Sequence, residues 1–272
     1  MKSILILGAG NIGEAIAFDL SDDYEICIAD TDKERLEKLE KYGETKILDV
    51  SDEERLKNLI ERYDLVIGAL PGRYGFYSVE KAIESKTDIV DVSFMPEDPF
   101  RLDKKAKEND CTVIVDAGFG PGMSNVFMGK ISKELEKIED VFIRIGGLPI
   151  YPEPPLFYKV TWSPSDLIEE YTRPARMIED GEMIEVDPFK EIKSVEMKGN
   201  RFEEFYSDGL RTLLHTLPDV KNMKETTLRW KGHLNKMKIL RELGFFDESN
   251  LEETLDVIVP HMRFESKDFS IM

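Results

Sequence analysis

Glutamine is missing from this sequence of 272 residues, histidine occurs three times, and cysteine and tryptophan twice each. Two cysteines cannot form a disulfide framework, and both Cys27 and Cys111 lie in apolar segments. They are expected as buried, reduced thiols in a reducing compartment, which points to the cytoplasm. The three histidines are far apart and no cysteine pair joins them, so no metal is expected. No apolar run approaches the ~20 residues a membrane span needs. The run Ile4–Leu7 is cut off by Gly8, too early for a signal peptide. Basic residues are also scarce, 37 against 55 acidic ones, giving a net charge of -18. Such a field repels phosphate backbones and anionic membranes, so neither nucleic acid nor a membrane is an expected partner. The missing glutamine beside abundant glutamate and lysine is the bias of heat-adapted proteins, and a thermophile origin is expected.

What remains is a globular composition, 41% hydrophobic and 34% charged, with a length that favours two domains. Through the first ~120 residues, short apolar runs alternate with amphipathic charged stretches, the pattern of βαβ units on a parallel sheet. Strands are predicted at Ser3–Leu7, Glu25–Ala29, Thr45–Leu48, Leu65–Ala69, Asp88–Val92 and Thr112–Asp116. Helices are predicted between them at Gly13–Leu20, Lys33–Lys41, Asp52–Ile60, Ser78–Glu84 and Phe100–Asn109. From Pro121 the character changes to α+β. There the pattern predicts helices at Ser124–Leu135, Pro164–Tyr171, Gly209–Leu214, Lys231–Leu243 and Asn250–Val259, with strands at Val141–Gly146, Ile192–Met197 and Phe202–Phe205. The expected fold is therefore α/β: a Rossmann doubly wound parallel sheet over residues 1–121, then a second α+β domain over 122–272.

The turn Gly8-Ala9-Gly10-Asn11-Ile12-Gly13 follows the first strand and opens a helix. Its glycines serve the tight turn, the close approach of backbone to a pyrophosphate, and the packing of helix on strand. The phosphates would sit at the helix N-terminus, where unpaired N–H groups and the dipole favour an anion. Asp30, at the end of the second strand, can accept both ribose hydroxyls and would repel a 2′-phosphate, so NAD is expected over NADP. Nearby Lys33 and Arg35 work in the opposite direction. Asp49 could meet the adenine amino group or cap the next helix. Ala69-Leu70-Pro71 stand at a strand end where a nicotinamide ring would cross the sheet.

Five further segments line up with this turn: Asp91-Val92-Ser93-Phe94, Asp116 to Asn125, Trp162-Ser163-Pro164, Glu170-Tyr171-Thr172-Arg173-Pro174, and Thr227 to His233. Together the chain resembles the saccharopine dehydrogenase-like oxidoreductases, and within them most resembles the archaeal and bacterial L-lysine 6-dehydrogenase group. The likeness runs along essentially the whole chain, although Lys231 stands where that group would have proline before Gly232-His233. Members also continue for several tens of residues past a segment like Asp268–Met272, so the second domain is expected to be truncated. The resemblance implies a homodimer formed through the second domain and oxidative deamination of the lysine ε-amine to the 6-semialdehyde with NAD. Saccharopine and carboxynorspermidine dehydrogenases share the framework. A non-catalytic NAD-binding protein is a third reading.

A lysine amine is protonated until about pH 10.4, so such a site needs a proton acceptor. Asp91 and Asp116, at strand ends, and His233, in a family motif, are the candidates. A substrate carboxylate needs a cation, and Arg173 and Arg211 can supply bidentate forks. Ser207-Asp208-Gly209 reads as a cap that would orient a helix carrying Arg211. Phe94 and Trp162 are candidate walls of the substrate pocket, and Gly120, in the turn Gly118–Gly122, is expected close to the substrate.

Overall fold

The computed structural model describes residues 2–217, 219–263 and 268–272. The chain forms two compact units, Met1–Gly122 and Met123–Met272.

In the first unit β1 (Ser3–Leu7), α1 (Asn11–Leu20), β2 (Glu25–Asp30), α2 (Lys33–Leu39), β3 (Glu44–Ile47), α3 (Glu53–Ile60) and β4 (Leu65–Gly68) follow in order. They are succeeded by α4 (Gly72–Glu84), β5 (Asp88–Asp91), α5 (Asp103–Glu108) and β6 (Val113–Ile114). The six strands make one parallel sheet in the order β3-β2-β1-β4-β5-β6. Alternation along β1 sends Leu5 and Leu7 into one apolar cluster and Ile4 and Ile6 into another. Both faces of the sheet are thus covered, which is why its central strands read as unbroken apolar runs. The expected doubly wound sheet is present, and the strand order reverses between β1 and β4, which opens a crevice at the carboxyl ends of those strands.

Two elements differ from expectation. Helix α4 begins at Gly72, six residues before the predicted Ser78. Gly72 and Gly75 are poor helix formers and hid its first turns. A Cβ on Gly75 would stand 1.9 Å from Ser93 Oγ, so glycine is required there by packing. Strand β6 has two residues rather than five.

The second unit comprises α6 (Met123–Glu134), β7 (Asp140–Pro149), α7 (Pro164–Thr172), β8 (Ala175–Glu179), β9 (Glu182–Val186) and β10 (Lys193–Met197). After these come β11 (Asn200–Tyr206), α8 (Leu213–Thr216), β12 (Asn222–Trp230), α9 (His233–Glu242), α10 (Leu251–Ile258) and β13 (Asp268–Ile271). Its sheet runs β10-β11-β12-β7-β13, with β8 and β9 attached through β12. Strands β7 and β12 are parallel, whereas β11 and β13 pair antiparallel with their neighbours. The pairs Asp180-Gly181 and Lys198-Gly199 take positive φ at both positions and close the β8–β9 and β10–β11 hairpins, as two-residue turns of that hand require.

Two predicted features are corrected here, and three strands are added. Gly209–Leu214 is not a helix; one short helix, α8, starts only at Leu213. Strand β12 and the hairpin β8–β9 were not expected at all. Cys27 is buried as expected, but Cys111 is only half-buried. Among the described residues, no helix is long and apolar enough to cross a membrane.

Candidate functional site

In the first unit, the glycine turn joins β1 to α1. Gly8 has φ 110°, and a Cβ on it would lie 2.4 Å from the Ala69 carbonyl oxygen. A Cβ on Gly13 would lie 1.9 Å from the Gly8 carbonyl oxygen. Both positions are closed to any side chain. Gly10 differs, because its nearest neighbour to such an atom is Arg35 Nη1 at 3.8 Å. Within this unit, therefore, the turn is packed hard on its sheet side and open on the other. Gly10 is the N-cap of α1, and no side chain caps the helix. Asn11 and Ile12 are exposed. The first-turn N–H groups of α1 therefore have no side-chain cap.

Asp30 secures this turn to the neighbouring strand. Its carboxylate accepts from Ala9 N at 2.6 Å and from Asp32 N at 2.8 Å. A carboxylate offers about four lone-pair sites, so acceptor capacity remains for a ribose. Arg35 Nε lies 3.1 Å from Asp32 Oδ2, which holds the guanidinium beside Gly10. Asp49 forms a local turn, accepting from the hydroxyl and N–H of Ser51, and these bonds hold its pKa below the ordinary carboxylate value. The capping reading of Asp49 is corrected, since Asp52 caps α3 by accepting from Arg55 N.

At the end of β4, Ala69 N donates to Leu7 O. Pro71 is the N-cap of α4, and no side-chain bond closes that helix start. Leu70 and Pro71 are half-buried. Asp91 is fully buried, with Oδ1 accepting from Ser93 N at 2.9 Å and from Ser93 Oγ at 2.5 Å. Its Oδ2 occupies the place a Cβ on Gly68 would need, 2.0 Å away. A carboxylate so bonded orients the Ser93–Phe94 turn. Phe94 is half-buried. Asp116 is buried with a left-handed φ of 55°, a strained geometry that tends to occur at functional sites. It leads into the turn that contains Gly120 and closes through the bridge between Gly118 and Gly122.

In the second unit, His233 opens α9 and is fully buried. Its Nδ1 donates to Leu156 O at 2.7 Å, and its Nε2 accepts from the Tyr171 hydroxyl at 2.8 Å. The Tyr171 oxygen in turn accepts from Arg229 Nε at 3.1 Å, and Arg229 Nη2 pairs with Glu170. The Arg229 guanidinium stacks 4.4 Å from the centre of the Tyr158 ring, whose hydroxyl accepts from Trp162 Nε1 at 3.3 Å. Burial, aided by the Arg229 charge, pushes the His233 pKa down to about 3. The expectation of a proton carrier near neutral pH is corrected: His233 is a neutral group in a polar core, because both ring nitrogens are engaged there. Trp162 is half-buried against that core.

Arg173 and Arg211 do gather, but with partners the sequence did not announce. Asp208, almost fully buried, accepts from Arg176 N, Nε and Nη2 at 3.0, 2.9 and 2.7 Å. Arg173 Nε lies 3.5 Å from the same carboxylate, and its Nη1 is 3.3 Å from Glu169. Arg173 has its pKa lowered by burial, with the charges of Arg211 and Arg176 acting in the same direction. Arg211 is buried and sits outside any helix, at a left-handed φ of 44°. The capping reading of Ser207-Asp208-Gly209 is corrected, since Asp208 serves arginines of α7's exit and β8. Arg176 and Asp208 were missed. The one signal for them was an acidic and a basic residue each placed three or so positions from a nominated arginine. Among the described residues, no group of three or more His, Cys, Asp or Glu side chains is arranged to hold a metal.

A parallel doubly wound sheet with an open glycine turn defines the class as a dinucleotide-binding α/β protein. Residues 118–270 match the saccharopine dehydrogenase C-terminal domain, and residues 4–114 match the saccharopine dehydrogenase NADP binding domain. The chain belongs to the saccharopine dehydrogenase family. It is 28% identical over 270 residues to the mitochondrial alpha-aminoadipic semialdehyde synthase of Bos taurus, covering 90% of this chain and 28% of that one. It is 26% identical to the saccharopine dehydrogenase [NADP(+), L-glutamate-forming] of Pyricularia oryzae, covering 91% and 58%. The apo saccharopine dehydrogenase (L-Glu forming) structure from Saccharomyces cerevisiae superposes with a TM-score of 0.72 at 25% identity, covering 91% of this chain and 59% of that one. The chain thus spans between about a quarter and three fifths of the length of these relatives. Their names include saccharopine dehydrogenase and semialdehyde synthase, which widens the expectation of lysine 6-dehydrogenase; the NADP model likewise widens the expectation of NAD.

Proposed function

We propose that this protein is a nicotinamide-dinucleotide-dependent oxidoreductase acting at the C–N bond of an amino acid, and that it oxidises the ε-amine of L-lysine to the 6-semialdehyde. The observation that carries this reading is the turn Gly8–Gly13, closed to side chains at Gly8 and Gly13 and open at Gly10 above an uncapped helix start. The N–H groups of α1 would hold the pyrophosphate, and Asp30 would accept from the adenosine ribose. When bound, the nicotinamide would supply the hydride acceptor. The chain's own residues must then strip a proton from the substrate ammonium and hold its carboxylate. Asp91 and Asp116, at the strand ends of the first unit, are the candidate acceptors. Arg173 and Arg211 of the second unit are the candidate cations for a carboxylate.

Saccharopine oxidation is the second reading, and the names of the relatives favour it. For the cofactor we propose NAD, on the strength of Asp30; NADP is favoured by the Arg35 guanidinium beside Gly10 and by the NADP binding model. The test is reduction of NAD and of NADP by the purified protein with L-lysine, saccharopine and simple diamines. Turnover of lysine supports the proposal, and turnover of saccharopine alone replaces it with the second reading. Dinucleotide binding without turnover of any amine would make the protein a binding module.

A further inference from the structure

The segment that joins β2 to α2 brings two carboxylates, Asp30 and Asp32, and the Arg35 guanidinium beside the glycine turn. Asp30 serves the turn itself, accepting from Ala9 N and from Asp32 N. Asp32 serves the helix that follows. Its Oδ1 accepts from Glu34 N at 3.0 Å and from Arg35 N at 3.1 Å, which makes it the N-cap of α2. Its Oδ2 meets Arg35 Nε at 3.1 Å. One carboxylate thus holds both the backbone and the side chain of Arg35, and the guanidinium so held is the nearest neighbour of a Cβ placed on Gly10, with Nη1 at 3.8 Å. The other cation of the segment is engaged along the helix, since Lys33 Nζ lies 3.6 Å from Glu37 Oε1.

These charges bear on the choice between two dinucleotides. NADP differs from NAD by a 2′-phosphate on the adenosine ribose, and in this fold that ribose lies at the end of β2. A cation there attracts the phosphate and an anion repels it. Arg35 brings a positive charge, but with Asp32 only 3.1 Å from it most of its field is cancelled at longer range. Asp32 also occupies the Nε–H, one of the donors from which a bidentate grip on a phosphate is made. Asp30 adds a further negative charge on the side of the turn. The Asp32–Arg35 pair is itself exposed, with 42% and 57% of the two side chains open to solvent. Pairs of that kind add little to stability, so removing the charge of Asp32 leaves the fold in place.

We infer that Asp32 is a specificity-determining residue: as the counter-ion of Arg35 it holds the site toward the dinucleotide that lacks a 2′-phosphate. It acts through Arg35 and is a positioning residue, not a catalytic one. The inference rests on the dinucleotide-binding reading above and deepens it, because it states what sets the choice of cofactor.

The experiment titrates NADH and NADPH, whose own fluorescence reports binding, into the full-length protein and into Asp32→Asn. Asparagine caps a helix about as well as aspartate, so α2 keeps its cap and only the charge is lost. Expected is a rise in NADPH affinity of about tenfold, the scale of one charge removed close to a dianion at a protein surface, with NADH affinity within about threefold of the parent. The same substitution is then made in Arg35→Gln, where no guanidinium is left to release, and there the gain for NADPH should fall below about threefold. An equal gain in both backgrounds overturns the role given to Asp32 as the counter-ion of Arg35. Unchanged NADPH affinity in Asp32→Asn, or an equal change for both dinucleotides, overturns the inference and leaves the dinucleotide reading intact. Binding of neither dinucleotide by the parent overturns that reading itself. Where Asp32→Asn does not fold, Asp32→Ser, another capping residue, carries the same comparison and must show the same split between NADPH and NADH.

Discussion

His233 sets a pH dependence that can be worked out from its surroundings. Unfolded, its imidazole titrates near its ordinary value of about 6.5. Folded, burial and the Arg229 charge lower the pKa to about 3, against the opposing pull of the Leu156 carbonyl. The unfolded chain therefore binds a proton between those two values that the folded chain does not. Stability is fully present above about pH 6.5 and is lost as pH falls, by about 1.4 kcal/mol for each unit inside the window. At pH 5 the expected loss from this one residue is about 2 kcal/mol. Glu170 works in the opposite sense, because burial raises its pKa, so its proton uptake favours the folded state as pH falls. Its effect is confined to pH values around and above its ordinary 4.5, and the comparison of parent with His233→Gln cancels it to first order. The assay is urea unfolding of the second unit at several pH values from 7 to 5. The parent should lose about 2 kcal/mol more than the variant across that range. Only three histidines are present, so side-chain NMR can follow each one directly. A His233 resonance that titrates near neutral pH, or equal losses in parent and variant, refutes the reasoning.

Four further outcomes are expected. Asp30→Ala weakens dinucleotide binding more than about tenfold through lost charge-assisted bonds, measured by fluorescence titration; unchanged affinity removes Asp30 from the site. Arg35→Ala lowers affinity for NADP while leaving NAD within about threefold, because a 2′-phosphate would lose its cation; an equal effect on both assigns Arg35 to the turn's fold alone. Gly13→Ala abolishes dinucleotide binding, since its Cβ would meet backbone at 1.9 Å, and a variant that binds normally contradicts the described turn. Arg229→Met leaves the Glu170 carboxylate and the Tyr171 oxygen without their shared donor and costs about 3 to 5 kcal/mol, the scale for breaking a buried pair; the loss should shrink when Glu170→Gln is added, as read from a double-mutant cycle.

How much of this was legible in the sequence differs sharply between the two units. In the first, the sheet is buried on both faces, so Ile4 to Leu7 and Ile26 to Ala29 read as apolar runs, and five of six strands lie within a residue or two of expectation. In the second, β12 escaped notice although it lies at the centre of the sheet. From Glu225 to Arg229 both its faces are buried, and one of them carries Glu225, Thr227 and Arg229, where a period-two search looks for apolar residues. Polar strands of this kind are betrayed only by partners far away in sequence. Arg229 needs Glu170 and Tyr171, 59 and 58 positions distant, and no local pattern encodes that. The hairpin at Asp180-Gly181 was readable, since an Asp-Gly pair between two short alternating segments is a turn signal in its own right.

That contrast follows from what each unit builds its polar contacts from. The first unit would bind phosphate with backbone N–H groups, so the requirement falls on the absence of side chains, and three glycines at fixed spacing announce it. The second unit gathers guanidinium groups from the exit of α7, from β8 and from the segment before α8. Nothing but the fold brings Arg173 and Arg176 to Asp208. A backbone-built site is therefore written as a motif, while a site built from side chains on separate strands is written only in the tertiary structure. It follows that breaking the Asp208 contacts should lower stability and leave dinucleotide affinity unchanged, while exchanges at Gly8 or Gly13 should weaken dinucleotide binding. Measuring unfolding and dinucleotide affinity across one small set of variants tests that separation, and a variant at Asp208 that weakened dinucleotide binding would break it.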